Sequence, residues 1–151
     1  MISALLIAAC LAASAVADDR PCVVVVVGAP GTPEYESEFR RWAELWKVAA
    51  DRGKADFIAI GTDAETSPPD RDRLEALIQE RSSPSAGNAP LWIVLIGHGT
   101  FDGREAKFNL RGPDLTDVEL AKWLEPVKRP LAVINCASAS GSFLSKLSRE
   151  G

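Results

Sequence analysis

The sequence predicts an α/β fold in which a mainly parallel sheet lies between two layers of helices, a three-layer sandwich. Three observations carry that prediction. Four short runs rich in Val, Ile and Leu recur along the chain, at residues 22–27, 56–61, 91–96 and 131–135. They are apolar without strict alternation, the pattern of strands buried on both faces. Segments of helical periodicity separate them, and such alternation builds a parallel sheet with right-handed crossovers.

The first strand is Cys22-Val23-Val24-Val25-Val26-Val27, and Gly28-Ala29-Pro30-Gly31 turns the chain after it. Thr32 is placed to cap a helix with Pro33 at its first position and Glu34 and Glu36 in its first turn, where the helix dipole favours acid. Tyr35, Phe39, Trp42, Trp46 and Ala49 form its apolar stripe, and Gly53 stops it. The second strand follows at residues 56–61. Pro68-Pro69-Asp70 then opens a helix with Leu74, Leu77 and Ile78 on one side. Residues 82–89 are a loop of small residues. The third strand ends at Gly97-His98-Gly99, and a polar, hairpin-like excursion carries the chain from Phe101 to Pro113. Thr116 and Glu119 make a capping box for the next helix, with Leu115 able to staple onto Leu120. The fourth strand delivers Cys136 at its end. Ser140-Gly141-Ser142 leads into a last helical turn with Leu144 and Leu147. Trp42, Trp46, Trp92 and Trp123 fall on amphipathic or buried segments, so core packing is expected of them rather than ligand stacking.

Length and charge narrow the function classes. At 151 residues the chain allows one domain with a core of its own. Charged residues at 25% beside 46% hydrophobic ones exclude a disordered chain. Lys+Arg 17 against Asp+Glu 21 gives a net charge of -4, which argues against nucleic-acid binding. Three cysteines and one histidine give no structural zinc site.

Residues 1–17 are uncharged, run apolar through Leu5-Leu6-Ile7-Ala8-Ala9-Cys10-Leu11, and end Ala15-Val16-Ala17 before Asp18-Asp19. Small residues at those last positions suit signal-peptidase cleavage, so the segment reads as a secretory signal and the protein as exported. It is too short to span a bilayer, and no stable membrane association is expected after cleavage. Ile7-Ala8-Ala9-Cys10 also fits a lipoprotein processing site, the second choice because almost no apolar sequence precedes Cys10. The folded domain is then residues 18–151.

Cys22 opens one strand and Cys136 closes another. In parallel strands of that length the two sulfurs stand about 20 Å apart, whereas a disulfide needs Cα atoms within about 7 Å. Cys136 is therefore expected as a free thiol.

Ligands of such sheets bind beyond the carboxyl ends of the strands, and there the third and fourth strands carry His98 and Cys136. A thiol acts as nucleophile once an imidazole takes its proton, and a pair of this kind predicts fast alkylation near neutral pH. Gly99 and the backbone N–H of Cys136 are candidates for an oxyanion hole. The small residues Ala137-Ser138-Ala139-Ser140-Gly141 leave room for a substrate backbone, with Ser138 and Ser140 as candidate substrate contacts. Thr100-Phe101-Asp102-Gly103 has two readings. Asp102 either lines the cleft and orients His98, or makes an ordinary Asp-Gly turn.

Ile96-Gly97-His98-Gly99 after one buried strand, and Val133-Ile134-Asn135-Cys136-Ala137-Ser138-Ala139-Ser140-Gly141 after the next, resemble the caspase-like-fold cysteine peptidases: caspases, legumains, gingipains and separases. The stretch from Cys136 through Phe143 is most similar to the legumain type. The resemblance implies a caspase-like fold and cysteine endopeptidase activity on a polypeptide substrate, without cofactor or metal. It makes His98 the general acid/base, Cys136 the nucleophile, and Gly99 with Cys136 the oxyanion donors. Two positions depart from the family. Ile134 replaces the acidic residue of legumains, and the loop 28–32 carries no arginine, so the resemblance implies no preference for Asn or Asp. The family continues with further strands beyond the length of this sequence. Four strands with an apolar edge on the fourth are therefore expected here.

Other readings stand beside these. Cys136 and His98 are each compatible with a purely structural role, which would make the chain an inactive caspase-like interaction module. Arg104, Lys107 and Arg111 either read a substrate carboxylate or form a solvated face. Gly28-Ala29-Pro30-Gly31 has neither phosphate-loop spacing. A serine hydrolase of the α/β type places its nucleophile before its histidine, opposite to the order here.

Overall fold

In the computed structural model, residues 19–64 and 67–148 are described. The export segment expected at residues 1–17 lies outside them. In chain order the elements are β1 (Cys22–Val27), α1 (Pro33–Arg52), β2 (Asp56–Ile60), α2 (Asp70–Arg81), β3 (Leu91–Ile96), β4 (Gly99–Phe101), β5 (Ala106–Phe108), β6 (Leu115–Thr116), α3 (Asp117–Leu124), β7 (Leu131–Asn135) and α4 (Ser140–Leu147). Among the described residues no helix is long and apolar enough to cross a membrane.

β1 is the natural centre of the sheet because all six of its residues are apolar and buried. It pairs in parallel with β2 on one side and β3 on the other, and β3 pairs in parallel with β7, giving the order β2-β1-β3-β7. The pleat sends alternate β1 side chains to opposite faces. Val23, Val25 and Val27 pack with Phe39, Ala43 and Ala50 of α1. Cys22, Val24 and Val26 join Leu74 and Ile78 of α2, Leu120 and Leu124 of α3, and Phe143 of α4. The sheet is thus sandwiched, with α1 on one face and α2, α3 and α4 on the other. Each fully buried Val contributes about 1.5–3 kcal/mol.

The α3 capping box forms as expected, with the Thr116 side chain and the Glu119 carboxylate exchanging bonds across the first turn. Thr32 behaves differently. It sits at the N-cap of α1 in extended conformation but makes no side-chain cap bond. Its hydroxyl bonds the Glu34 carboxyl instead and holds that group below the usual carboxylate range. The expected α1 stripe also needs correction. Phe39, Ala43 and Ala50 are buried and Trp46 half-buried, while Tyr35 is 48% and Trp42 38% exposed. Among the described residues α1 is the one helix on its face, so its side over β1 and β2 is covered and the flank toward β7 is left open. Trp92, on the same face, is likewise 38% exposed, so neither it nor Trp42 is the core residue the sequence suggested.

The excursion after β3 is more than a hairpin. β4, β5 and β6 form a small antiparallel sheet whose Ala106, Phe108 and Leu115 are fully buried in the core shared with α3 and α4. β7 ends the main sheet with every residue half-buried, so an apolar edge is present as expected.

Candidate active site

The chain moves from β1 outward to β2 through α1, then returns across the sheet to β3. The strand order therefore reverses between β1 and β3, the place where doubly wound sheets open a crevice at their carboxyl ends. Two glycines let the strands meet there. A Cβ on Gly28 would lie 2.4 Å from the Asn109 carbonyl oxygen, and one on Gly97 would lie 3.0 Å from the Phe108 ring and 3.2 Å from the Gly28 Cα. Phe108 closes the crevice from beneath.

His98 and Pro30 face each other across this point. Val94 and Ile96 of β3 point to the α1 face, and His98 continues that alternation. Its Nε2 is 3.1 Å from the carbonyl oxygen of Pro30. A carbonyl only accepts, so Nε2 carries the hydrogen. In the neutral ring, Nδ1 is left as the nitrogen able to take a proton. Tyr35 packs against the imidazole at 4.5 Å between centroids and 88°, and Phe39 at 5.2 Å and 61°. The chain behind the ring is pinned too, because the His98 carbonyl accepts from the Asn109 N–H at 3.0 Å.

Cys136 follows β7, one strand away on the same sheet edge. Its N–H donates to the Leu95 carbonyl at 3.0 Å. The oxyanion role expected of that N–H therefore requires the bond to Leu95 to be released. Cys22 and Cys136 are both free thiols, the first buried and the second exposed. Exposure of Cys136 as a residue coexists with partial cover of its sulfur, and that burial pushes the thiol above its ordinary range. This burial works against the fast neutral-pH alkylation that the pairing with His98 suggested, and among the described residues no cation offsets it.

The two loops are interlocked. A Cβ on Gly99 would meet the Cβ and N of Ala139 at 3.0 Å and the Cβ of Ala137 at 3.1 Å. Ser138 Oγ donates to the Gly99 carbonyl at 3.0 Å. The cysteine turn is shaped from within, because Asn135 Oδ1 accepts from the Ala137 N–H at 2.9 Å. The loops following His98 and Cys136 are thus in contact at this sheet edge, through Ala137 and Ala139, which pack into the core on the face opposite α1.

No protein-family model and no curated protein matches the chain.

The remaining candidates separate. Asp102 Oδ1 accepts from the N–H groups of Arg104 and Glu105, both at 2.9 Å, so it builds the β4–β5 turn, and these bonds lower its carboxyl. Ser138 joins the two loops. Ser140 lines a cavity of about 430 Å³ on the opposite face of the sheet, with Leu124, Val133 and Phe143, and does not share the surroundings of Cys136. Lys107 pairs with Glu105 at 3.6 Å with both side chains substantially exposed, a solvated face. Arg111 is not on a solvated face but is held in an ion pair. It grips the fully buried Asp70 through Nε at 2.7 Å and through its terminal nitrogen at 2.9 Å, and also bonds the Asp63 carbonyl. Sequence reasoning missed Pro30, Tyr35 and Phe39 as the holders of His98. The one available signal was a turn containing proline at the end of the central strand.

Proposed function

We propose that this chain carries the catalytic dyad of an exported cysteine endopeptidase of caspase-like fold, acting on polypeptides. The observation that supports the reading is that His98 and Cys136 follow the adjacent parallel strands β3 and β7 at one edge of the sheet, each beside α1 residues, with the loops after them in contact.

The chemistry follows from the local bonds. Pro30 fixes the tautomer of His98, so Nδ1 takes the Cys136 proton as Sγ attacks the scissile carbonyl carbon. Because burial keeps the resting thiol protonated, His98 acts as general base during attack rather than holding a standing ion pair. The carbonyl oxygen gains negative charge, for which Gly99 and the Cys136 amide are the proposed donors. Collapse breaks the C–N bond, and the imidazolium returns its proton to the leaving amine. Water then attacks the thioester with His98 again as base, releasing the acid and restoring the thiol. Every step closes without a cofactor.

One observation favours the inactive-module alternative: the Cys136 amide already donates to Leu95. A mixed-peptide digest followed by mass spectrometry decides between them. New cleavages that vanish in Cys136→Ser and in His98→Ala support the peptidase. An uncut library, or cuts that persist in Cys136→Ser, removes it.

A further inference from the structure

The exposed flank of α1 and the surroundings of Cys136 are one feature. A groove of about 340 Å³ is lined by Trp42, Leu45, Trp46, Ala49, Ile96 and Cys136. Its volume lies in the range of small-molecule pockets, and none of its walls is charged. Leu45 is 58% and Trp42 38% exposed, and large apolar groups clustered in the open mark a binding surface more often than single ones do.

Charge on the same sheet edge is committed elsewhere. A smaller cavity of about 130 Å³ between the ends of β1 and β2 includes Glu36, Arg40 and Arg111. Arg40 bonds Glu36 at 3.0 Å and the Thr62 carbonyl at 2.6 Å, while Arg111 is held by Asp70 and Asp63. An acidic side chain entering beside Cys136 would meet tryptophan and aliphatic carbon and lose part of its hydration with no charged wall to replace it. A lysine or arginine side chain would fare no better.

We infer that this groove receives a bulky apolar or aromatic side chain of the polypeptide substrate, from the residue whose carbonyl is attacked by Cys136. The inference rests on the proposed role of Cys136 as nucleophile. Attack at that carbonyl brings the neighbouring Cα, and hence its side chain, beside the sulfur, and the groove is the apolar space that Cys136 itself lines.

The test uses the full chain and a set of N-acetyl dipeptidyl acyloxymethyl ketones ending in Phe, Leu, Asp, Asn or Arg. In these probes Cys136 Sγ displaces the carboxylate leaving group and forms a stable thioether, which mass spectrometry locates. The Phe and Leu probes are expected to label Cys136 about tenfold or more faster than the others. Leu45→Lys, and Trp42→Ala as a second exposed variant, should each lower the ratio of Phe-probe rate to iodoacetamide rate about tenfold. Equal labelling by all probes, or preference for Asp, Asn or Arg, overturns the apolar groove while the peptidase reading stands. Failure of every probe on a chain that also leaves the peptide library uncut overturns both.

Discussion

A Cβ placed on Gly99 would stand 3.0 Å from both the Cβ and the backbone nitrogen of Ala139. The residue after His98 and the turn after Cys136 are therefore in close contact, which ties the two loops together. Gly99→Ala must shift the turns by a few tenths of an ångström, because the Ala139 nitrogen and the Cβ atoms of Ala137 and Ala139 that it meets cannot rotate away. The expected cost is about 1–3 kcal/mol in urea-unfolding stability. Peptidase activity is expected to fall further than that loss of folded population explains. A variant of normal stability and activity would show that the contact does not hold the dyad.

Tyr35 offers a separate handle on the histidine. It is 48% exposed, yet its ring lies 4.5 Å from the imidazole. Tyr35→Ala should change stability by about 1 kcal/mol or less. By freeing the ring to leave its tether to Pro30, it should lower kcat by up to about 10²-fold, with a smaller effect on KM. Tyr35→Phe keeps the ring contact and should restore most of the rate. Loss in both variants alike would assign the effect to the hydroxyl instead.

The thiol predicts its own pH profile. Burial disfavours the thiolate of Cys136, so its pKa lies above that of an unperturbed thiol, about 8.5. Iodoacetamide alkylation should therefore be slower than for a free thiol at pH 7.5 and rise at pH values past that range. His98→Ala should abolish peptide cleavage without moving the alkylation midpoint downward. A midpoint below 8 in the unmodified protein would point to a preformed thiolate–imidazolium pair, and would require a stabilising cation near the sulfur.

Much of this was readable from residue types. Uninterrupted apolar runs located β1 and β3, because strands buried on both faces need no alternation. The same kind of run located β7, although that edge strand is only half-buried. The pairing of Thr116 with Glu119 located the start of α3, because both partners of that cap lie within one turn. His98 and Cys136 reached one edge because parallel strands share a carboxyl end. The rotation of α1 was not readable. Its aromatics wind around the helix, and only tertiary packing decides which flank a lone helix buries. β4, β5 and β6 are two or three residues long, too short to show a period. Pro30 acts through a main-chain carbonyl, which no side-chain motif encodes. Asp70 and Arg111 are 41 residues apart, and nothing local marks them as partners.

Phe108 is fully buried beneath Gly28 and Gly97, so it supports the carboxyl ends of β1 and β3 together. Phe108→Ala should cost about 3–5 kcal/mol, measured by chemical denaturation. Phe108→Leu should cost less. Because the cavity opens under the crevice, Phe108→Leu should also reduce cleavage activity in the fraction that remains folded. Retained activity there would mean that the ring serves the core alone.

The Asp70–Arg111 pair ties the β5–β6 loop to the start of α2. Asp70 is fully buried and also receives Arg73 at 3.3 Å. Removing the carboxylate strips two guanidinium groups of their shared partner, whereas removing Arg111 leaves Asp70 one remaining cation. Asp70→Ala should therefore be the worse variant, at about 3 kcal/mol, and Arg111→Ala milder. Arg111→Lys should recover little, since a point charge cannot reproduce two parallel bonds to one carboxylate. Salt provides the control. Screening over a Debye length of about 3 Å at 1 M weakens exposed pairs most, so the Asp70→Ala deficit should persist in 1 M NaCl. A deficit that disappears in salt would show the pair to be solvated, and the anchoring of this loop would then fall to the buried Leu110 and Leu115.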